Sequence, residues 1–168
     1  MVLRGNMVRV VNLGEYIVSR QVEDTVRTYS LASCVGVVAY CPACKMLGMA
    51  HVVLPGAPPA HMSSLSERMK YAEVLVPAMF KELNNNHDCK DKDSMRVYVY
   101  GGIDSISNCV FRIGERNLDS VMGVLRKMNI PFDATNCRGN VYRSLIAYVD
   151  TGHVEVIEGN LRCAAAMG

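Results

Sequence analysis

Cys34 and His51 are the pair with which this chain can do nucleophilic chemistry. Residues 28–55, TYSLASCVGVVAYCPACKMLGMAHVVLP, read as two apolar strands joined by a short turn. CVGVVAY is rich in β-branched residues and MLGMAHVVL is almost continuously apolar. Between them, Cys41-Pro42-Ala43-Cys44-Lys45 has the Pro and Lys of an exposed turn. An antiparallel hairpin of this length brings Cys34, at the entrance of the first strand, beside His51, near the end of the second. A free thiol with a pKa near ~8.5 is mostly protonated at neutral pH, so a neighbouring imidazole is what would make it a nucleophile and lower its pKa. Taken singly, both residues also suit a core: cysteine is among the most often buried types, and a lone histidine in an apolar strand is usually a satisfied core residue. The surroundings favour chemistry. Ser30, Ala32 and Ser33 put small side chains around the thiol, with backbone N–H groups for an oxyanion, and the Thr28 hydroxyl can orient the imidazole.

Around this hairpin the chain is read in order. Val8–Leu13 and Tyr16–Val18 are short apolar runs separated by Gly14, and Thr25–Leu31 is a strand leading to the thiol. Residues 55–62, PGAPPAHM, form a loop directly after the imidazole and are a candidate wall of a substrate site; His61 within it suits a solvated position. Ser63 or Ser64 caps a helix striped by Met69, Ala72, Leu75, Val76, Met79, Phe80 and Leu83, with a kink or break expected at Pro77. Asn84–Asn86 ends it, and HDCKDKDS follows as an exposed loop. Met95–Tyr100 is a strand delivering Gly101-Gly102, which suits a tight turn or a close backbone approach. Phe111–Gly114 leads into a second helix with Leu118, Val121, Met122, Leu125 and Met128 on one face and Asn129 as its stop. Ile130–Thr135, Arg143–Val149 and His153–Glu158 read as strands, the last two joined by Thr151-Gly152.

The ordered motifs resemble CheD, the chemoreceptor glutamine deamidase family of chemotaxis. The resemblance rests on Ser33-Cys34, Gly48-Met49-Ala50-His51 and Leu54-Pro55, with Gly14-Glu15-Tyr16, Lys70-Tyr71-Ala72, Gly101-Gly102, Ile113-Gly114, Arg116-Asn117, Gly139-Asn140, Arg143-Ser144 and Thr151-Gly152 in the family's order. It implies that Cys34, His51 and Thr28 are catalytic and that Gly101-Gly102 lies near the reactive centre. It also implies two partners, methyl-accepting chemotaxis receptors and a CheC-type phosphatase, and no metal or organic cofactor. Some members of the family also hydrolyse receptor methyl esters. Two departures stand out: Ala32 replaces the family's usual glycine, and Asn136-Cys137-Arg138-Gly139 replaces its Asp-x-Gly-Gly. Arg138 thereby brings a cation to a rim that would read residues flanking the target glutamine.

Composition narrows the remaining classes. A chain of 168 residues fits a single domain spanning 1–168. No apolar run reaches the ~20 residues of a membrane span, and MVLRGNMVRVV lacks a secretory h-region, so the expectation is a cytoplasmic protein without membrane insertion. A net charge of +2 with both signs dispersed gives no basis for a nucleic-acid partner. The seven cysteines, an odd number, read as reduced thiols rather than as a secreted disulfide framework. Cys41-Pro42-Ala43-Cys44 is a CxxC that zinc would claim only with ligands such as His87, Asp88 and Cys89. No second CxxC supports that, and a reversible disulfide or plain turn thiols are the other readings. Strands and helices do not alternate regularly. The expected fold is therefore α+β, a mixed, mainly antiparallel β-sandwich with helices on the outer faces, and the family resemblance implies a layering similar to toxin-type cysteine deamidases. Besides a deamidase, an adaptor that binds receptor or phosphatase with dispensable catalysis and a cysteine amidohydrolase acting on another protein both stay open.

Overall fold

The computed structural model describes residues 6–86, 94–104 and 112–160. Its strands are β1 (Val8–Val10), β2 (Tyr16–Ser19), β3 (Thr25–Leu31), β4 (Val35–Cys41), β5 (Met46–Val52), β6 (Arg96–Gly101), β7 (Val141–Tyr148) and β8 (Val154–Asn160). Its helices are the single turn α1 (Leu65–Arg68), α2 (Ala72–Asn85) and α3 (Ile113–Lys127). One sheet has the order β1-β3-β7-β8 and the other β2-β5-β4-β6; only β1 and β3 run parallel.

The two sheets stack, and both long helices cover the second sheet on its far side. The β4–β5 hairpin shows why. Val35, Val37 and Ala39 of β4 and Met46, Ala50 and Val52 of β5 pack with Leu75, Met79, Phe80, Leu118 and Leu125 of the helices. The opposite face, through Val38, Tyr40, Leu47 and Met49, meets Val26, Leu31, Leu145 and Ala147 of the first sheet. Every residue of β4 and β5 is buried, because this sheet is the middle of three layers. A strand buried on both faces has no polar side, which accounts for the unbroken apolar runs in the sequence. In β7, by contrast, buried Arg143, Leu145 and Ala147 alternate with half-exposed residues, as a strand with one covered face should.

Three expectations need correction. Among the described residues both long helices stand on the same outer face, not one on each. The first helix breaks at Met69–Tyr71, not at Pro77, because the backbone there bonds the chain leaving β5: Val53 and Leu54 N–H donate to Lys70 O, and Ala72 N–H donates to Leu54 O. Pro77 lies inside an uninterrupted α2. Residues 130–135 make a single bridge to β6, Asp133 with Tyr98, instead of a strand. Pro131 removes a donor, and Asp133 Oδ1 folds back on Thr135 N–H at 2.8 Å. Most of the expected HDCKDKDS loop, and Phe111, fall outside the described residues.

Candidate active site

His51 enters the space between the sheets because β5 alternates: Gly48 faces the Leu83 and Met79 side chains of α2, and residues one step out of phase face the first sheet. On that side it meets Thr28 of β3, which is fully buried. Thr28 Oγ1 lies 2.9 Å from Val11 O and 2.7 Å from His51 Nδ1. A hydroxyl has one proton, and a carbonyl can only accept, so that proton goes to Val11 O. Thr28 must then accept from Nδ1–H, which leaves Nε2 unprotonated. Nε2 is buried and has no hydrogen-bond partner. Burial pushes the imidazole down from 6.5 to about 4, so at neutral pH the ring is an uncharged base held in one tautomer.

Cys34 occupies the corner, residues 32–34, where the chain leaves β3 in one sheet for β4 in the other. Gly36 pairs with His51 and Val35 with Val52. The ladder ends there, and Cys34, one residue before Val35, packs into the same inter-sheet layer that His51 enters; continued by one step, this register would make the two diagonal neighbours, a spacing of up to about 7–8 Å that side chains can bridge. Cys34 packs against the inter-sheet core and is half-buried. Burial pushes its thiol up. The expected depressed thiol is therefore corrected: the resting pair is a neutral thiol and a neutral imidazole, since burial disfavours charge on both. Among the described residues, the backbone N–H groups of Ser33 and Cys34 donate to no backbone carbonyl, a condition that an oxyanion-binding donor has to meet.

Gly101 and Gly102 do reach this corner, but as its support. Both have positive φ, and a β-carbon on Gly101 would sit 2.4 Å from Cys34 O. Gly102 N–H donates to Cys34 O at 3.0 Å and Gly101 N–H to Asn136 O at 3.3 Å. Neither amide is spare, so what the two glycines supply here is support for the backbone that carries Cys34. Ala32 and Ser33 share the corner; Ser30 stands apart on the exposed bulge of β3, its N–H bonded to Ser144 Oγ at 3.0 Å.

Arg138, expected at the rim, is exposed beside the end of β6. Its N–H bonds Gly101 O at 2.9 Å, and its exposed guanidinium lies 3.9 Å from Asp119. Position 138 is left-handed, with φ of 65°, a conformation glycine adopts freely, so the glycine expected from the family pattern would fit here. A groove of about 230 Å³ opens between Gly102, Asp104, Arg112, Glu115, Arg138 and Gly139. Residues 55–62 start against α3, with Gly56 N–H on Ser120 Oγ at 2.7 Å, and His61 is exposed.

Two residues of this region were not singled out for the site from the sequence. Arg143, almost fully buried in β7, donates to Arg138 O at 3.0 Å and pairs with Glu158; a charged residue at an inward position of an alternating strand was the available clue. Asn117 is fully buried on the apolar face of α3, between Gly114, Leu118 and Val121, and donates to Ser33 O and Val53 O, each at 2.9 Å. At the far turn of the hairpin Cys41 is free and buried, whereas Cys44 is disulfide-bonded. This departs from the expectation of reduced thiols throughout, and the bond of Cys44 is not to Cys41. Among the described residues no group of three or more His, Cys, Asp or Glu is placed to hold a metal, and no helix is long and apolar enough to cross a membrane.

A family model described as CheD chemotactic sensory transduction matches residues 53–158, more than half of the chain. The match begins beyond His51, so it does not include Thr28, Cys34 or His51. A probable chemoreceptor glutamine deamidase CheD of Syntrophotalea carbinolica is 33% identical over 148 residues, covering 88% of this chain and 91% of its own. A chemoreceptor glutamine deamidase CheD of Halalkalibacterium halodurans is 33% identical over 125 residues, covering 72% and 75%. Among solved structures, the hypothetical protein YfiH of Bacillus licheniformis overlaps 80% of this chain and 59% of its own at a TM-score of 0.39 and 11% identity, a likeness too loose to carry an argument.

Proposed function

The chain belongs to the CheD family, and from that premise we propose that it hydrolyses the side-chain amide of specific glutamines on chemoreceptors, giving glutamate and ammonia. The observation that carries the chemistry is the Thr28–His51 contact of 2.7 Å, because it leaves Nε2 as an unprotonated, unpartnered base in the layer that also holds Cys34. As the thiol attacks the amide carbon, Nε2 takes its proton, so no free thiolate has to persist in a buried site. The N–H groups of Ser33 and Cys34 receive the tetrahedral oxyanion. The imidazolium returns its proton to the departing nitrogen, which leaves as ammonia, and the acyl group remains on Sγ as a thioester. Water, deprotonated by the same Nε2, then attacks the thioester carbon; the C–S bond breaks, the carboxylic acid forms and the thiol regains a proton. Thr28 keeps the ring in the tautomer that this sequence needs at both steps.

A receptor glutamine projects from a helical surface, so its side chain has to be taken in at a corner rather than a deep cleft. The small Ala32 and Ser33 beside Cys34 suit that entry, and Arg138 with residues 55–62 forms the rim that reads flanking residues. A CheC-type phosphatase is the second partner in this reading, and family membership is its support. The test is incubation of the purified protein with soluble chemoreceptor fragments, followed by peptide mass spectrometry. Conversion of a few defined glutamines by wild type and none by Cys34→Ala is the expected result; no conversion, or equal conversion by both, overturns it.

A further inference from the structure

We infer that Asn117 is a positioning residue for the Cys34–His51 pair, acting as a side-chain rung between the two chains that carry them. This deepens the catalytic reading above and rests on it. The β4–β5 ladder ends with Val35 opposite Val52. Beyond that pair the two backbones bond elsewhere: Val53 N–H goes to Lys70 O at 3.1 Å, and Cys34 O accepts from Gly102 N–H at 3.0 Å. At this level the carboxamide of Asn117 spans the gap, with one Nδ2 proton on Ser33 O and the other on Val53 O, each at 2.9 Å. Ser33 is the residue before the nucleophile, and Val53 follows the base by two.

The geometry of the carboxamide makes this rung stiff. Its two N–H bonds diverge at a fixed angle from one nitrogen, so the separation of the two carbonyls is set by a planar group. The orientation is unambiguous, since the reverse would press Oδ1 against two carbonyl oxygens. Asn117 is fully buried and its Oδ1 has no partner, an arrangement that a leucine on this apolar face would avoid. What asparagine supplies and leucine does not is the pair of donors. Its own place is secured at the start of α3, where Asp104 accepts from Gly114 and Glu115 N–H at 2.8 and 3.1 Å. Gly114 lies against Ile103, with room for no side chain: a β-carbon there would be 2.3 Å from Ile103 O. The helix end, the β6 end and the Cys34 corner are thus one connected block, and Asn117 extends it to the end of β5.

A kinetic cycle tests this. Deamidation of a receptor fragment is measured for wild type, His51→Gln, Asn117→Ala and the double variant. Asn117→Ala is expected to lower kcat by about 10- to 100-fold with KM little changed, the scale of a small misplacement of reacting groups. In wild type, His51→Gln should cost about 10²–10⁴-fold. In the Asn117→Ala background it should cost only a few-fold, because the base is no longer aligned with the thiol. A role in stability alone leaves the His51→Gln factor the same in both backgrounds, and that result overturns the inference while sparing the catalytic reading. If His51→Gln leaves wild-type kcat unchanged, the assignment of the base fails, and this inference falls with it. Should Asn117→Ala not fold, the cycle is run with Asn117→Ser, which keeps one donor and is held to the same comparison.

Discussion

At one end of the β4–β5 hairpin Cys34 sits half-buried at a corner between sheets, in the layer that also takes in His51. At the other, Cys41 is fully buried in regular strand opposite Met46, its sulfur 3.9 Å from Ser94 Oγ. The same residue type on the same element thus meets two environments. Regular pairing at Cys41 uses the backbone donors in the ladder, and close packing leaves no space for an incoming group. At Cys34 the chain is changing sheets, so Ser33 and Cys34 N–H are left out of any ladder, and the middle layer supplies the imidazole from the adjacent strand. The lesson is that the break in strand regularity, more than the cysteine itself, creates the candidate nucleophile.

The sharpest way to break that contrast is to exchange the thiols. Cys34→Ser should lower deamidation by more than about 10³-fold, because the hydroxyl is a far weaker nucleophile towards this base. Cys41→Ala should leave turnover within about two-fold and cost on the order of 1 kcal/mol of stability, read by denaturant unfolding. Comparable losses from both would erase the distinction between the two ends.

The next effect belongs to the base. His51→Gln should lower kcat by about 10²–10⁴-fold. Thr28→Val should cost less, about 10- to 100-fold, since it removes orientation and leaves the imidazole. It should also destabilise the fold by about 1–3 kcal/mol, because Val11 O and Nδ1–H both lose a buried partner. Equal kinetic losses from the two variants would mean that the hydroxyl does more than hold the ring.

Protonation gives a third discriminator. The folded imidazole is held at about 4 against 6.5 in the ordinary case, so between those values the unfolded chain binds the proton and the folded protein does not. The stabilisation is present above 6.5 and is lost as pH falls towards 4, on the order of 3 kcal/mol in all. Unfolding curves across that window should flatten in His51→Gln; an unchanged slope would place the acid sensitivity elsewhere. Smallest in size is the response to iodoacetamide. Because burial raises the thiol, alkylation of Cys34 should rise with pH to a midpoint above the ~8.5 of a free thiol, while Cys41 stays unmodified in the folded protein. A midpoint near neutrality would instead require a resting thiolate–imidazolium pair.

The hairpin, β3 and the apolar faces of both helices were legible because periodicity reports burial directly. Asn129 was legible as a stop, since position 129 is left-handed, with φ of 54°. What stayed hidden depends on contacts between distant segments. The break at Met69–Tyr71 comes from bonding to Leu54, which no local propensity encodes, and residues 130–135 meet β6 at a single bridge instead of along a ladder. At the site, Cys34 and His51 were readable as a pair from residue type and spacing, whereas Thr28 was assigned through the family resemblance. Their electrostatics were not: the neutral resting pair follows from a third layer closing over the hairpin. Asn117 was visible as an amide on an apolar helix face, but its two carbonyl partners lie in loops that sequence spacing does not bring together.

The most direct test follows the acyl group. A receptor fragment is mixed with excess enzyme, quenched in acid during the first turnover, and the enzyme's cysteine-containing peptides are weighed. The account predicts a transient adduct on the peptide carrying Cys34, equal to the receptor peptide less ammonia, formed more slowly in His51→Gln and absent in Cys34→Ala. An adduct on any other cysteine, or undiminished deamidation by Cys34→Ala, would contradict it.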